Sequence, residues 1–125
     1  MQSYALVTGG SRGIGRAICV KLAGMGYPVI INYKGNKTAA EETAALVTAQ
    51  GQEAVLMPFD VADKKEVESV LGKWQEEHKD CVIEVLVNNA GIRQDALLAF
   101  MSDEQWHSVM DTSLQGMFNI TKQVM

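Results

Sequence analysis

The chain has 125 residues, 47% of them hydrophobic and 21% charged, with a net charge of -4 at pH 7. That length fits one domain with a real core, and the composition is that of a soluble globular protein. Mixed charge with an acidic excess lacks the basic surface that nucleic acids need, and no apolar run approaches membrane-spanning length, so neither nucleic acid nor membrane is an expected partner.

The first element is the stretch YALVT, Tyr4 to Thr8. It is short, apolar and β-branched, the pattern of a buried parallel strand. It runs into LVTGGSRGIG, Leu6 to Gly15, which holds four glycines and an arginine. Beyond the turn, Ile14, Ala17, Ile18, Leu22 and Met25 recur at helical spacing, with Arg16 and Lys21 on the other face. The unit is strand, glycine turn, helix. A helix N-terminus offers unpaired N–H groups and a partial positive charge. Glycines at 9, 13 and 15 let a phosphate approach those groups, with Ser11, Arg12 and Ile14 between them. The turn lacks a Gly-Lys-Ser/Thr ending, which removes the phosphate lysine and metal-binding hydroxyl of a P-loop.

A second strand, Pro28 to Tyr33, follows, and Thr38-Ala-Ala-Glu41 has the form of a capping box opening a helix that Gly51 stops. The third strand, AVLMPF over 54–59, leads to Asp60-Val61. Asp63-Lys-Lys-Glu66 is another capping box, and Val67, Val70, Leu71 and Trp74 form its helix's buried stripe. The fourth strand, Val82 to Val87, runs into Asn88-Asn89-Ala90-Gly91. Ser102-Asp-Glu-Gln105 opens a last helix, with Trp106, Val109, Met110, Ser113 and Met117 on one face. Strands alternating with helices imply an α/β fold: the N-terminal half of a Rossmann-type doubly wound parallel sheet, in strand order 3-2-1-4. The glycine turn, Asp60 and the Asn-Asn-Ala-Gly segment then share the carboxyl edge, where a dinucleotide binds.

The end of strand two reads Tyr33-Lys34-Gly35-Asn36-Lys37, without the acid that usually holds a free ribose 2′-OH. Arg12 sits where a guanidinium can fork onto a 2′-phosphate, with Lys34 and Asn36 in support. NADP(H) is therefore the expected cofactor. Asp60 is placed either to accept from the adenine amino group, with Val61 beside the ring, or simply to open the next helix. Asn89, Ala90 and Gly91 combine small residues with amides able to bond neighbouring loops. Cys19 and Cys81 lack metal or redox spacing and read as buried thiols in a reducing compartment, which makes the cytoplasm the expected address. His78 and His107 lack metal-spaced partners, so no metal is expected.

The stretch Thr8 to Gly15 resembles the Thr-Gly-x-x-x-Gly-x-Gly signature of short-chain dehydrogenases/reductases, and Asp60-Val61 and Asn88 to Gly91 follow in that family's order. TGGSRGIGRAI, NYKGNK and LVNNAGIRQDALL are most similar to bacterial 3-oxoacyl-acyl-carrier-protein reductases. The resemblance implies NADPH-dependent reduction of a 3-oxoacyl group on acyl carrier protein to the (3R)-hydroxyacyl product, by a homotetramer assembled through the last helix. Reduction of a different ketone, or a non-catalytic nucleotide-binding role, are the alternatives. The family's chemistry uses a Tyr-x-x-x-Lys pair beyond strand five. The pair Tyr33 and Lys37 has that spacing but lies at the adenosine end, out of proton-transfer reach of a nicotinamide. Tyr33 is thus expected only to line the cofactor. Ser113 occupies the place where the family usually has a catalytic-helix asparagine. Family members run to about twice this length, so residues 1–125 are expected to be one NADP-binding domain preceding the catalytic pair, with strand four left as an edge.

Overall fold

The computed structural model describes residues 2–89 and 103–125; for 105–115 it describes the backbone only. Four strands alternate with four helices: β1 Gln2–Val7, α1 Gly13–Gly24, β2 Val29–Tyr33, α2 Lys37–Ala49, β3 Ala54–Pro58, α3 Lys64–Glu77, β4 Cys81–Val87 and α4 Asp103–Val124. The strands form one parallel sheet in the order β3-β2-β1-β4, as the alternation requires. The order reverses beside β1, so the carboxyl ends of β1 and β4 flank the crevice where such sheets take ligands.

Period-2 alternation divides the apolar strand residues between two cores. Leu6, Ile30, Met57 and Phe59 pack with Val67, Leu71 and Trp74 of α3 and Ile120 of α4. Ala5, Val7, Val29 and Ile31 pack on the other face with Cys19, Leu22 and Ala23 of α1 and Val47 of α2. Each such large aliphatic residue contributes about 1.5–3 kcal/mol by leaving water. Because both faces of β1 and β2 are covered, these strands read as continuous apolar runs rather than alternating ones. β4 is less enclosed and pairs only with β1 among the described residues. No described helix is long and apolar enough to cross a membrane.

Three local expectations are corrected. α1 buries Gly15, Cys19, Leu22 and Ala23, whereas Ala17 is exposed, Met25 is exposed and Ile14 is 74% exposed. Small residues at 15, 19 and 23 bring the helix close to the sheet, and that close approach sets the buried face more strongly than side-chain size. α2 is capped by Asn36, whose side-chain oxygen accepts from Ala39 N at 3.0 Å, so the helix begins before the Thr38 box. At α3 the Asp63 cap forms, accepting from Glu66 N at 3.1 Å, but Glu66 reaches back to Asp60 N (3.2 Å) instead of closing the box on Asp63. Gly51, at φ +85°, stops α2 as expected. The segment 90–102, which includes Ser102, the expected first residue of the α4 capping box, lies outside the described residues, as do the side chains of Gln105, Trp106, His107, Val109, Met110 and Ser113.

Trp74 stands edge-on to Tyr4 (5.1 Å, 78°) and stacks on His78 (4.6 Å), so both rings belong to packing. Burial pushes the Cys19 thiol up to about 12. The sign of that shift predicts stability undiminished below the ordinary thiol value of 9.0 and falling as pH rises from there toward 12. Cys19 is buried as expected, but Cys81 is only half-buried because it opens the less enclosed strand β4. Peptide mapping after a thiol reagent at pH 8 should therefore find Cys81 labelled and Cys19 labelled only on unfolding. Equal labelling in the folded protein would show that α1 does not seal the sheet.

Candidate nucleotide site

Thr8 closes the end of β1. Its N–H donates to Val87 O (3.0 Å), and its hydroxyl accepts from Asn89 N (2.9 Å). Gly9 follows at φ +64° and Gly13 at φ +60°, the left-handed conformation that favours glycine. Gly15 has a different reason to be glycine: a Cβ there would lie 2.1 Å from Gly9 O and 2.7 Å from Asn89 Nδ2. The first turn of α1 is therefore held against the strand end. Asn89 Nδ2 donates to the same Gly9 oxygen at 3.1 Å, which is the bracing expected of the Asn-Asn-Ala-Gly segment.

α1 differs from α2 and α3 at its N-terminus. The latter carry side-chain caps, whereas α1 starts from extended Arg12 with no side-chain cap; like α2, it has no acid in its first turn. A Cβ at Gly13 would meet nothing within 4 Å. Uncapped N–H groups beside open space form a cradle for an anion, and the positive end of the helix favours it. Arg12 is exposed at this turn and forms no ion pair among the described residues. Ser11, Arg12, Gly13 and Ile14 thus line one accessible corner, and Ile14 offers it an apolar side chain.

The other expected site residues divide. Lys34 Nζ lies 3.4 Å from Asp60 Oδ2 across the ends of β2 and β3, so these two groups face each other. Asp60 Oδ1 also accepts from Ala62 N at 2.9 Å, which supports the helix-opening reading of this aspartate. Val61 is buried, and a Cβ on Gly116 would sit 2.6 Å from its Cγ2, so its side chain is engaged by α4. The α4 side chain of Asn119 adds a hydrogen bond to Val61 O at 3.0 Å. Asn36 serves as the α2 cap described above. Tyr33 is buried at the end of β2, while Lys37 is exposed at the start of α2, and neither approaches the β1–β4 crevice through its chain position. Ala90 and Gly91 lie outside the described residues, and Ser113 is placed only as a backbone position within α4.

Two residues that support the cradle escape the sequence reading. Asn32, 2% exposed, accepts from Gly9 N at 3.2 Å and donates to Met57 O and Phe59 O at 3.2 and 3.1 Å. An amide interrupting an apolar strand was the available signal, since a buried polar group must find partners. Arg16 looks in sequence like a solvent-face residue. Instead it turns toward α2 and bonds Ser11 O, Ala39 O and Thr43 Oγ1, and pairs with Glu42.

A parallel sheet in this order, a glycine cradle at the end of β1 and an asparagine from the end of β4 define a nucleotide-binding α/β protein. The short chain dehydrogenase family matches residues 3–125, and the chain belongs to that family. It is 43% identical over 119 residues to the Staphylococcus aureus (strain Mu50) 3-oxoacyl-[acyl-carrier-protein] reductase FabG, covering 95% of this chain and 48% of the relative. It is 44% identical over 120 residues to the 3-oxoacyl-[acyl-carrier-protein] reductase of Synechocystis, covering 96% and 48%. It is 43% identical over 126 residues to the acetoacetyl-CoA reductase of Paracoccus denitrificans, covering 99% and 48%. The chain spans about half the length of the curated relatives it matches.

Proposed function

We propose that this chain is the NADP(H)-binding portion of an oxidoreductase that reduces 3-oxoacyl thioesters on acyl carrier protein to (3R)-3-hydroxyacyl products in fatty-acid biosynthesis. The observation that carries the reading is the uncapped N-terminus of α1, set beside open space at Gly13 and an Arg12 that forms no ion pair among the described residues. The residues fit the cofactor: backbone N–H groups of Gly13, Ile14 and Gly15 would hold the diphosphate, and Arg12 the 2′-phosphate. When bound, the nicotinamide supplies the hydride. Asn89 would line the cofactor while bracing Gly9, and Ala90 and Gly91 would continue that wall. Lys34 and Asp60 take part through their pair, exposed at Lys34 and half-buried at Asp60, which is worth no more than about 1 kcal/mol and yields readily to a phosphate or an adenine amino group. Asn36 and Tyr33 border the adenosine end, and Val61 supplies backbone there.

The residues from 1 to 125 act in this reading as one domain, with the proton-donating Tyr-x-x-x-Lys in the half of the relatives that this chain does not span and Ser113 at the position of their helical asparagine. The exposed Met117 and Phe118 on α4 support assembly as a homotetramer through that helix. A cytoplasmic location suits a partner that is itself a carrier protein. Relatives named for acyl-carrier-protein and for CoA substrates match at similar identity, 43% in each case, so the comparison of acetoacetyl groups on the two carriers decides between them. Oxidation of NADPH by neither thioester would leave nucleotide binding without this activity.

For the protein expressed from its whole reading frame, Arg12→Ala should weaken NADPH binding by about 1.5–3 kcal/mol, the worth of a charged hydrogen bond, with little change for NADH. Calorimetric titration of both nucleotides reads this directly. An unchanged preference would remove the 2′-phosphate assignment.

A further inference from the structure

We infer that Arg16 and Thr43 are positioning residues for nucleotide selectivity, acting through the Ser11 carbonyl without touching the nucleotide. The inference rests on the reading of Arg12 as the 2′-phosphate ligand. Ser11 O accepts two hydrogen bonds from outside its own turn, one from Arg16 Nη2 at 2.7 Å and one from the Thr43 hydroxyl at 2.9 Å. Thr43 is fully buried, and its oxygen also accepts from Arg16 Nε at 3.0 Å. Arg16 Nη2 further donates to Ala39 O and pairs with Glu42, both on α2. One guanidinium from the first turn of α1 and one hydroxyl from the second turn of α2 thus meet at a single carbonyl.

That carbonyl belongs to the peptide whose nitrogen is Arg12's. The clamp therefore fixes the plane from which the Arg12 side chain departs, because a peptide unit rotates as a whole. The diphosphate end of the cradle is held by other groups: Asn32 on Gly9 N, Asn89 on Gly9 O, and the close approach of Gly15. The two ends have separate supports, so loosening the clamp should be felt at the 2′-phosphate and much less at the diphosphate. Arg16 is distinct from Arg12 in this respect: its Nε and Nη2 are already engaged by the protein, whereas Arg12 forms no ion pair among the described residues.

The test compares binding of 2′,5′-ADP and 5′-ADP by calorimetry in the whole protein, with melting curves as a check on folding. Thr43→Val keeps shape and burial but removes the hydroxyl with its bonds to Ser11 O and Arg16 Nε. It should weaken 2′,5′-ADP about five-fold while leaving 5′-ADP within about two-fold, since of these only the bond to Ser11 O holds the peptide of Arg12 directly. Thr43→Ser restores the hydroxyl and should restore the preference. Equal weakening of both nucleotides, or a preference unchanged in Thr43→Val, overturns the inference while leaving the Arg12 assignment in place. A wild-type protein that binds the two nucleotides equally overturns both.

Discussion

Gly15→Ala is expected to remove nucleotide binding and to destabilise the protein by about 3 kcal/mol, at the upper end of overpacking costs. The added methyl would lie 2.1 Å from Gly9 O and 2.9 Å from Gly9 C, and both atoms are backbone. Neither can swing aside as a side-chain tip would, and Gly9 is itself held through its nitrogen by Asn32. The first turn of α1 must therefore move off the strand end, taking its N–H groups with it. Gly13→Ala is the informative contrast. Its methyl would stand in open space, so its cost is the left-handed backbone alone, about 1–2 kcal/mol. Because that space is where an anion would sit, Gly13→Ala should lose nucleotide binding with a smaller fall in melting temperature. Urea titration and nucleotide calorimetry on both variants separate the two roles. If Gly15→Ala melts like the wild type, the close contact between α1 and β1 is not what this glycine is for.

The architecture was open to sequence reading because several independent signals agreed. Four apolar runs alternated with helical patterns, and the glycine spacing, Asp63 and Gly51 marked boundaries that the structure keeps. What sequence missed has identifiable causes. The buried face of α1 is carried by Gly15, Cys19 and Ala23, which contribute little to any apolar period, while the larger Ile14 and Met25 face outward. The α2 start was misplaced because two capping residues, Asn36 and Thr38, stand two apart, and a glutamate at the third helical position is helpful without being required. Arg16 was hidden by its length: a guanidinium can fold back to carbonyls on a neighbouring helix, and spacing along one helix does not reveal that. The expected strand order already sets the ends of β2 and β3 side by side, but the facing of Lys34 and Asp60 depends on where their side chains turn beyond the strand ends, which spacing does not reveal.

Asn32 makes the strongest case for a residue that composition conceals: its replacement should be costly, and with aspartate the cost should depend on pH. Its side chain makes one bond as acceptor and two as donor, all to backbone groups, in a site 2% exposed. Asn32→Leu fills the same space but leaves Gly9 N–H, Met57 O and Phe59 O without that partner. The expected cost is about 3 kcal/mol, at an effectively constant value across pH. Asn32→Asp keeps the acceptor for Gly9 but sets a carboxyl against two carbonyl oxygens. Only the protonated acid can donate to either of them, so burial and these dipoles raise its folded pKa above the unfolded value of about 3.9. A raised folded pKa means that stability relative to wild type is undiminished below the unfolded value and falls as pH rises through the folded one. Urea denaturation at pH 4 and pH 7, each referred to wild type at the same pH, should therefore show Asn32→Asp worsening with pH while Asn32→Leu stays flat. A flat response from both variants would mean that the Met57 and Phe59 carbonyls do not depend on Asn32. The amide would then be holding Gly9 alone, and the cradle's link to β3 would be lost from the account of how the glycine turn keeps its shape.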